Sequence, residues 1–94
     1  MNNIYLVALN ESITMEAKQQ ELLNRITLIP GLMGGKPTIR GLRFPVSDIL
    51  ELLASGLSEE ELLEQHPILE KLDIQAALLY ASLKVKNTAV IYAA

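Results

Sequence analysis

The sequence predicts a mainly helical α+β domain in which a small antiparallel hairpin-based sheet packs on three helices. Three observations carry that prediction. Residues 36–45 alternate apolar and polar side chains about Arg40-Gly41, as a half-buried strand pair should. Residues 47–85 are leucine-rich at helical spacing, with Ser, Gly, Pro and Asp where helices start and stop. The 94-residue length allows one core, and 50% hydrophobic residues with a single Phe and no Trp make that core aliphatic.

Taken in order, Ile4 to Leu9 reads as a short strand ended by Asn10. Thr14 to Asn24 reads as a short helix, with Met15, Leu22 and Leu23 on its apolar side and Lys18, Gln19 and Gln20 outside. Ile26 to Ile29 is a second apolar run, stopped by Pro30-Gly31. A two-residue loop at Arg40-Gly41 sets Ile39 against Leu42, Thr38 against Arg43 and Pro37 against Phe44. Pro37, Ile39, Leu42 and Phe44 then share the buried face. Thr38 faces the other way, and Lys36, Arg40 and Arg43 stand together on the wet side and tip.

Ser47 is the expected cap of the first of the three helices, which runs to about Ser55, buries Ile49, Leu50, Leu52 and Leu53, and stops at Gly56. Ser58 caps the second through a capping box with Glu61, and Leu57 and Leu62 have staple spacing. That helix ends at His66-Pro67, because the residue before proline is pushed out of the α region. Asp73 is the expected cap of the third, which runs to about Val85 with Ile74, Ala77, Leu78, Ala81 and Val85 in one stripe. A second apolar row follows Ala76, Leu79, Tyr80 and Leu83. A helix apolar on two sides packs against two things, here the core and a second subunit or partner. Thr88 to Tyr92 reads as a closing strand, a candidate to pair with Ile4–Leu9 within a chain or across a dimer. The chain thus divides into an arm (1–24), a main domain (25–86) and a strand or tail (87–94).

Composition excludes several chemistries. With no Cys there are no disulfides, thiolate nucleophiles or cysteine metal sites, and one His builds no metal site alone. The apolar run Ile4–Leu9 follows no basic residue and is too short for a signal peptide or a span, so the chain is expected to be soluble, cytoplasmic and free of membrane contact. Gly31 to Lys36 fails as a phosphate loop: Pro30 stands where the first glycine should be, and Pro37 where a Ser or Thr would meet magnesium. His66 lacks catalytic partners, and no nucleophile elbow is present. An enzyme is not expected, nor is a cofactor.

Charge is uneven. Residues 1–45 carry five cations and three acids, net +2, whereas 46–94 carry three lysines against eight acids, net −5. The sixteen residues GLMGGKPTIRGLRFPV (31–46) hold four of the five glycines, three cations and no acid. Lys36, Arg40 and Arg43 there suit phosphate contacts; they equally suit the protection of an exposed strand edge. The acids Glu59, Glu60, Glu61 and Glu64 suit the first turns of a helix through its macrodipole.

The segment from Arg25 to about Ser82 resembles the bacterial domain-of-unknown-function family numbered 433. That family looks like Gly-Lys-Pro-x-Ile-x-Gly-Thr-Arg-x-Pro-Val, a helix, Gly-x-Ser-x-Glu-Glu, Tyr-Pro-x-Leu, and Asp-Ile-x-Ala-Ala-Leu-x-Tyr-Ala. Here the first block is Gly35-Lys36-Pro37, Ile39, Gly41, Arg43 and Pro45-Val46. The later blocks are Gly56, Ser58-Glu59-Glu60, Pro67, Leu69, Asp73-Ile74, Ala76-Ala77-Leu78 and Tyr80-Ala81. Leu42 replaces the usual Thr, and His66 the usual Tyr. The resemblance implies a helix-turn-helix-like unit, and some members resemble antitoxins encoded beside ribonuclease toxins. It therefore implies a DNA-binding regulator that binds its own operator and neutralises a protein toxin. On that reading Lys36, Arg40, Arg43, Gln75 and Lys84 would meet DNA, and Ala76, Leu79, Tyr80 and Leu83 a toxin or the second subunit of a homodimer. The acid-rich second helix and a third helix without Arg favour the alternative, a non-enzymatic protein–protein interaction module that binds no nucleic acid.

Overall fold

The computed structural model describes residues 14–93. Helix α1 occupies 14–23, and the expected strand at Ile4–Leu9 lies outside the described residues. Strand β1 (Ile26–Thr27), a single 3-10 turn (Met33–Gly35) and strand β2 (Thr38–Ile39) follow, then helices α2 (Val46–Ala54), α3 (Glu59–Gln65) and α4 (Lys71–Ala93). The class is the expected one, mainly helical α+β with a small antiparallel sheet.

The hairpin turn sits where the sequence places it. Leu42 N–H donates to Ile39 O at 2.7 Å across Arg40 (φ +46°) and Gly41 (φ +70°). Two positive φ angles define a type I′ turn, and Gly41 takes that region without the steric cost of a Cβ. The pairing differs from expectation. β2 pairs with β1, Ile26 opposite Ile39 and Thr27 opposite Thr38, rather than with Leu42–Phe44. The returning chain makes one bridge, Thr38 to Pro45, supported by Ile39 N–H to Phe44 O at 3.0 Å and Val46 N–H to Pro37 O at 2.9 Å. Leu42 and Arg43 therefore lie outside the ladder, Leu42 still half-buried against the core as expected and Arg43 exposed. Pro45 has no N–H with which to continue a ladder, whereas Ile26–Thr27 offers a complete edge. Thr38 consequently turns inward and is fully buried, its hydroxyl 2.7 Å from that of Thr27.

Helix boundaries also differ in detail. Pro45, not Ser47, stands at the N-cap of α2, in extended geometry and with no side-chain cap. Proline is already set at φ −68° there, so the chain enters the helix one residue before any serine could cap it. At the other end Gly56 (φ +106°) donates to Leu53 O at 3.0 Å and Leu57 to Leu52 O at 3.3 Å, the two bonds of a Schellman motif. The capping box of α3 forms as expected: Glu61 N–H donates to Ser58 Oγ at 3.1 Å, and Ser58 N–H to Glu61 Oε1 at 3.0 Å. His66 ends that helix and sets its ring edge-on to Phe44, with centroids 5.1 Å apart.

Helix α4 starts earlier and ends later than expected. Asp73 is its third residue rather than its cap, and reaches back to accept the Glu70 N–H at 2.8 Å. At the far end the backbone of 88–92 continues the helix, so the closing strand is not formed. Helix continuity satisfies each backbone group within the segment.

The core gathers Ile39, Val46, Ile49, Leu62, Leu69, Ile74 and Ala77. Leu50, Leu52, Leu53, Leu57 and Phe44 pack around it, half-buried. The α4 stripe is rotated from the expected one: Ala76 is fully buried with Ile74 and Ala77, whereas Leu78 is 47% and Val85 65% exposed. Burying the Asp73 carboxylate fixes the phase of the helix and turns Ala76 inward.

Candidate functional site

Two places gather the side chains that carry charge. The first is a buried carboxylate held by two arginines. Asp73, on the first turn of α4, is 0% exposed. Its Oδ1 accepts from Arg25 Nη1 at 2.9 Å and Arg40 Nε at 3.0 Å; its Oδ2 accepts from Arg40 Nη2 at 2.8 Å. Arg40 Nη2 also donates to Ile68 O at 2.8 Å, and Arg25 Nη1 to Glu70 Oε1 at 2.7 Å. Burial pushes the Asp73 carboxyl up, but the bonds from Arg40, the Glu70 N–H and Arg25 outweigh it, and the net effect holds it below its ordinary value. The Arg25 guanidinium is pushed up by its bond to Glu70 and then by Asp73; Arg40 is pushed up by its bond to Asp73.

This cluster corrects the expected placement of Arg40. It does not stand on the wet tip with Lys36 and Arg43; it folds back and ties the turn to α4. The sequence reading missed Arg25 altogether. A signal was available. Asp73 lies four residues before Ala77, on the apolar face, and an acid there requires buried cationic partners.

The second place is a groove between α2 and α4, a cavity of about 530 Å³. Val46 and Leu50 form one wall, Tyr80, Ala81 and Val85 the other, and Lys36, Lys84 and Glu51 stand at the rim. Lys84 Nζ lies 5.4 Å from the centre of the Tyr80 ring, a cation–π contact. Helix α4 supplies the wall because it continues past the core. Its inward face is buried at Asp73, Ile74, Ala76 and Ala77, half-buried at 79–81, and every side chain from Ser82 to Asn87 is exposed.

The structure thus brings Lys36 and Lys84 to one groove and leaves the other candidate DNA contacts apart. Arg43 is exposed on the returning chain. Gln75 is exposed beside a separate cleft lined by Lys18, Leu22, Arg25 and Leu72. Of the second apolar row, Ala76 is interior, Leu79 and Tyr80 are half-buried, and Leu83 is 37% exposed against a third hollow with Leu23, Ile26 and Leu28. Among the described residues no three acids or imidazoles converge as metal ligands, and no helix is long and apolar enough to cross a membrane.

Residues 26–81 match the family described as "Protein of unknown function (DUF433)". A curated protein of Sinorhizobium fredii, "Uncharacterized protein y4eO", is 41% identical over 56 residues, which make up 60% of this chain. The matched segment spans 25% of that relative's length. The fold is similar to the crystal structure of a DUF433 member protein from Anabaena variabilis, with a TM-score of 0.64 at 29% identity over 100% of this chain and 86% of that one.

Proposed function

Because the chain belongs to the DUF433 family, we propose that it acts as an antitoxin-like regulator, binding a protein toxin directly and its own operator DNA. One observation supports the partner-binding half above all. Helix α4 seals the core with its first turns and then carries Leu83 and Val85, 37% and 65% exposed, past the body beside two apolar hollows. A helix that leaves its own core with apolar side chains uncovered is built to meet another chain. A homodimer would present two such helices. The DNA half draws on α2, α3 and α4 as a helix-turn-helix-like unit, with Lys36, Arg43 and Lys84 as its phosphate contacts.

A second reading is favoured by the capture of Arg40. With that cation tied to Asp73 and the acids of α3 exposed, the protein works as an interaction module without nucleic acid. Mobility shift of its own promoter fragment at low salt, with and without any small nuclease-like protein found encoded beside it, separates the two. A sequence-specific shift and inhibition of that nuclease support the regulator. Inhibition without any shift supports the module. Neither one overturns the antitoxin-like reading.

A further inference from the structure

We propose that the groove between α2 and α4 is the seat for an acidic, apolar-faced helical segment of a partner protein. This rests on the partner-binding reading above and names the chemistry of the partner. The floor is apolar, from Val46 and Leu50 on one side to Tyr80 and Ala81 on the other, and a cavity of about 530 Å³ lies in the range of clefts that take side chains of a ligand. The rim carries Lys36 and Lys84 against the single acid Glu51. Lys86 is exposed on the same helix. From Ile74 to Ala93, α4 contains two lysines and no acid.

That charge pattern decides among occupants. A second copy offers its own α4, which has apolar residues but brings only lysines to a lysine rim. It also offers α3, which has the acids Glu59, Glu60 and Glu64 exposed, but whose leucines Leu62 and Leu63 are committed to its own core. Neither of these two elements is both acidic and apolar on a free face, and α1, with Met15 exposed beside Glu16, brings the exposed Lys18 as well to a lysine rim. DNA supplies the negative charge but no apolar side chains to fill the floor. A helix with leucines on one face and glutamates beside them satisfies both requirements, laying its knobs in the groove and its acids against the rim.

The test titrates the full chain with a synthetic helical peptide of about five turns, leucines along one face flanked by glutamates, and with the same peptide carrying lysines instead. Backbone amide shifts at Leu50, Tyr80 and Val85 report the site. The acidic peptide should perturb them and bind at least about tenfold tighter than the basic one. The double variant Lys36→Glu and Lys84→Glu should reverse that order while keeping its helical circular dichroism. Equal binding of the two peptides, shifts elsewhere on the protein, or the same shifts caused by a DNA duplex overturns the groove's assignment. So does self-association whose interface covers these amides. The two failures are separable. Peptide binding without inhibition of any nuclease-like protein found encoded beside it keeps the groove and removes the antitoxin reading. Inhibition unaltered in the double variant keeps the reading and removes the groove.

Discussion

Asp73 is fully buried, and removing its charge leaves Arg25 and Arg40 facing each other across a space built for a carboxylate. Asp73→Asn should therefore cost about 2–3 kcal/mol, which lowers the melting temperature by roughly 10–20 °C. The pH dependence has a definite sign. The folded carboxyl is held below its ordinary, unfolded value, so its stabilisation is complete above that ordinary value and is lost as pH falls through the lower folded one. Thermal melts across the acid range should show a steep decline for the wild type and a flatter, lower curve for Asp73→Asn. A parallel pair of curves would mean that another group controls acid stability. Arg40 adds a second cost, because a non-glycine residue at φ +46° is strained and the three bonds to Asp73 hold it there. Little of this was legible in the sequence. Asp73 followed by an apolar stripe looks like a cap, and only its spacing to Ala77 hints that it points inward. Arg25 and Arg40 lie 48 and 33 residues away, too far for any local pattern.

At the scale of elements, both ends of α3 and the C-terminus of α2 were readable, because those caps are written in consecutive residues, whereas Ser47 and Asp73 do not stand at the N-cap positions expected of them and α4 runs past Val85. Ser58, Glu61 and Gly56 do what their spacing announces. Ser58→Ala should lower stability by about 1 kcal/mol in urea unfolding. Gly56→Ala should cost about 1–2 kcal/mol through backbone strain at φ +106°, although no atom lies within 4 Å of the added Cβ. If Gly56→Ala proves neutral, the C-terminal turn relaxes and the Schellman geometry is not what stops α2. The strand pairing was less readable. The turn at Arg40-Gly41 follows from two adjacent residues, but choosing β1 over Leu42–Phe44 as the partner of β2 depends on a segment more than ten residues upstream. Thr88–Tyr92 has strand composition but a helical backbone, a case of context overriding propensity.

The whole molecule divides its charges along the chain. Helix α3 carries the exposed acids Glu59, Glu60 and Glu64, while the exposed cations Lys36 and Lys84 share a groove with Glu51 of α2, and Arg43 and Lys86 are exposed as well. If operator DNA uses these cations, Lys36→Ala with Arg43→Ala should reduce the slope of log K against log salt by about 0.9 for each lost phosphate contact and leave the melting temperature unchanged. Arg40→Ala should do the reverse, lowering stability with little change in slope. A reduced slope for Arg40→Ala would return that arginine to the nucleic-acid surface. The class of fold was legible from pattern alone; the groove was not, since Lys36 and Lys84 stand 48 positions apart and meet only when α2 packs on α4.

Helix α4 is one unbroken rod of 23 residues, about 34 Å long, anchored at its start by two arginines. A partner that clasps the distal turns thereby loads the proximal ones, as a hand on an oar loads the rowlock. Amides near Asp73 should exchange with solvent more slowly once the far end is held, although nothing touches them.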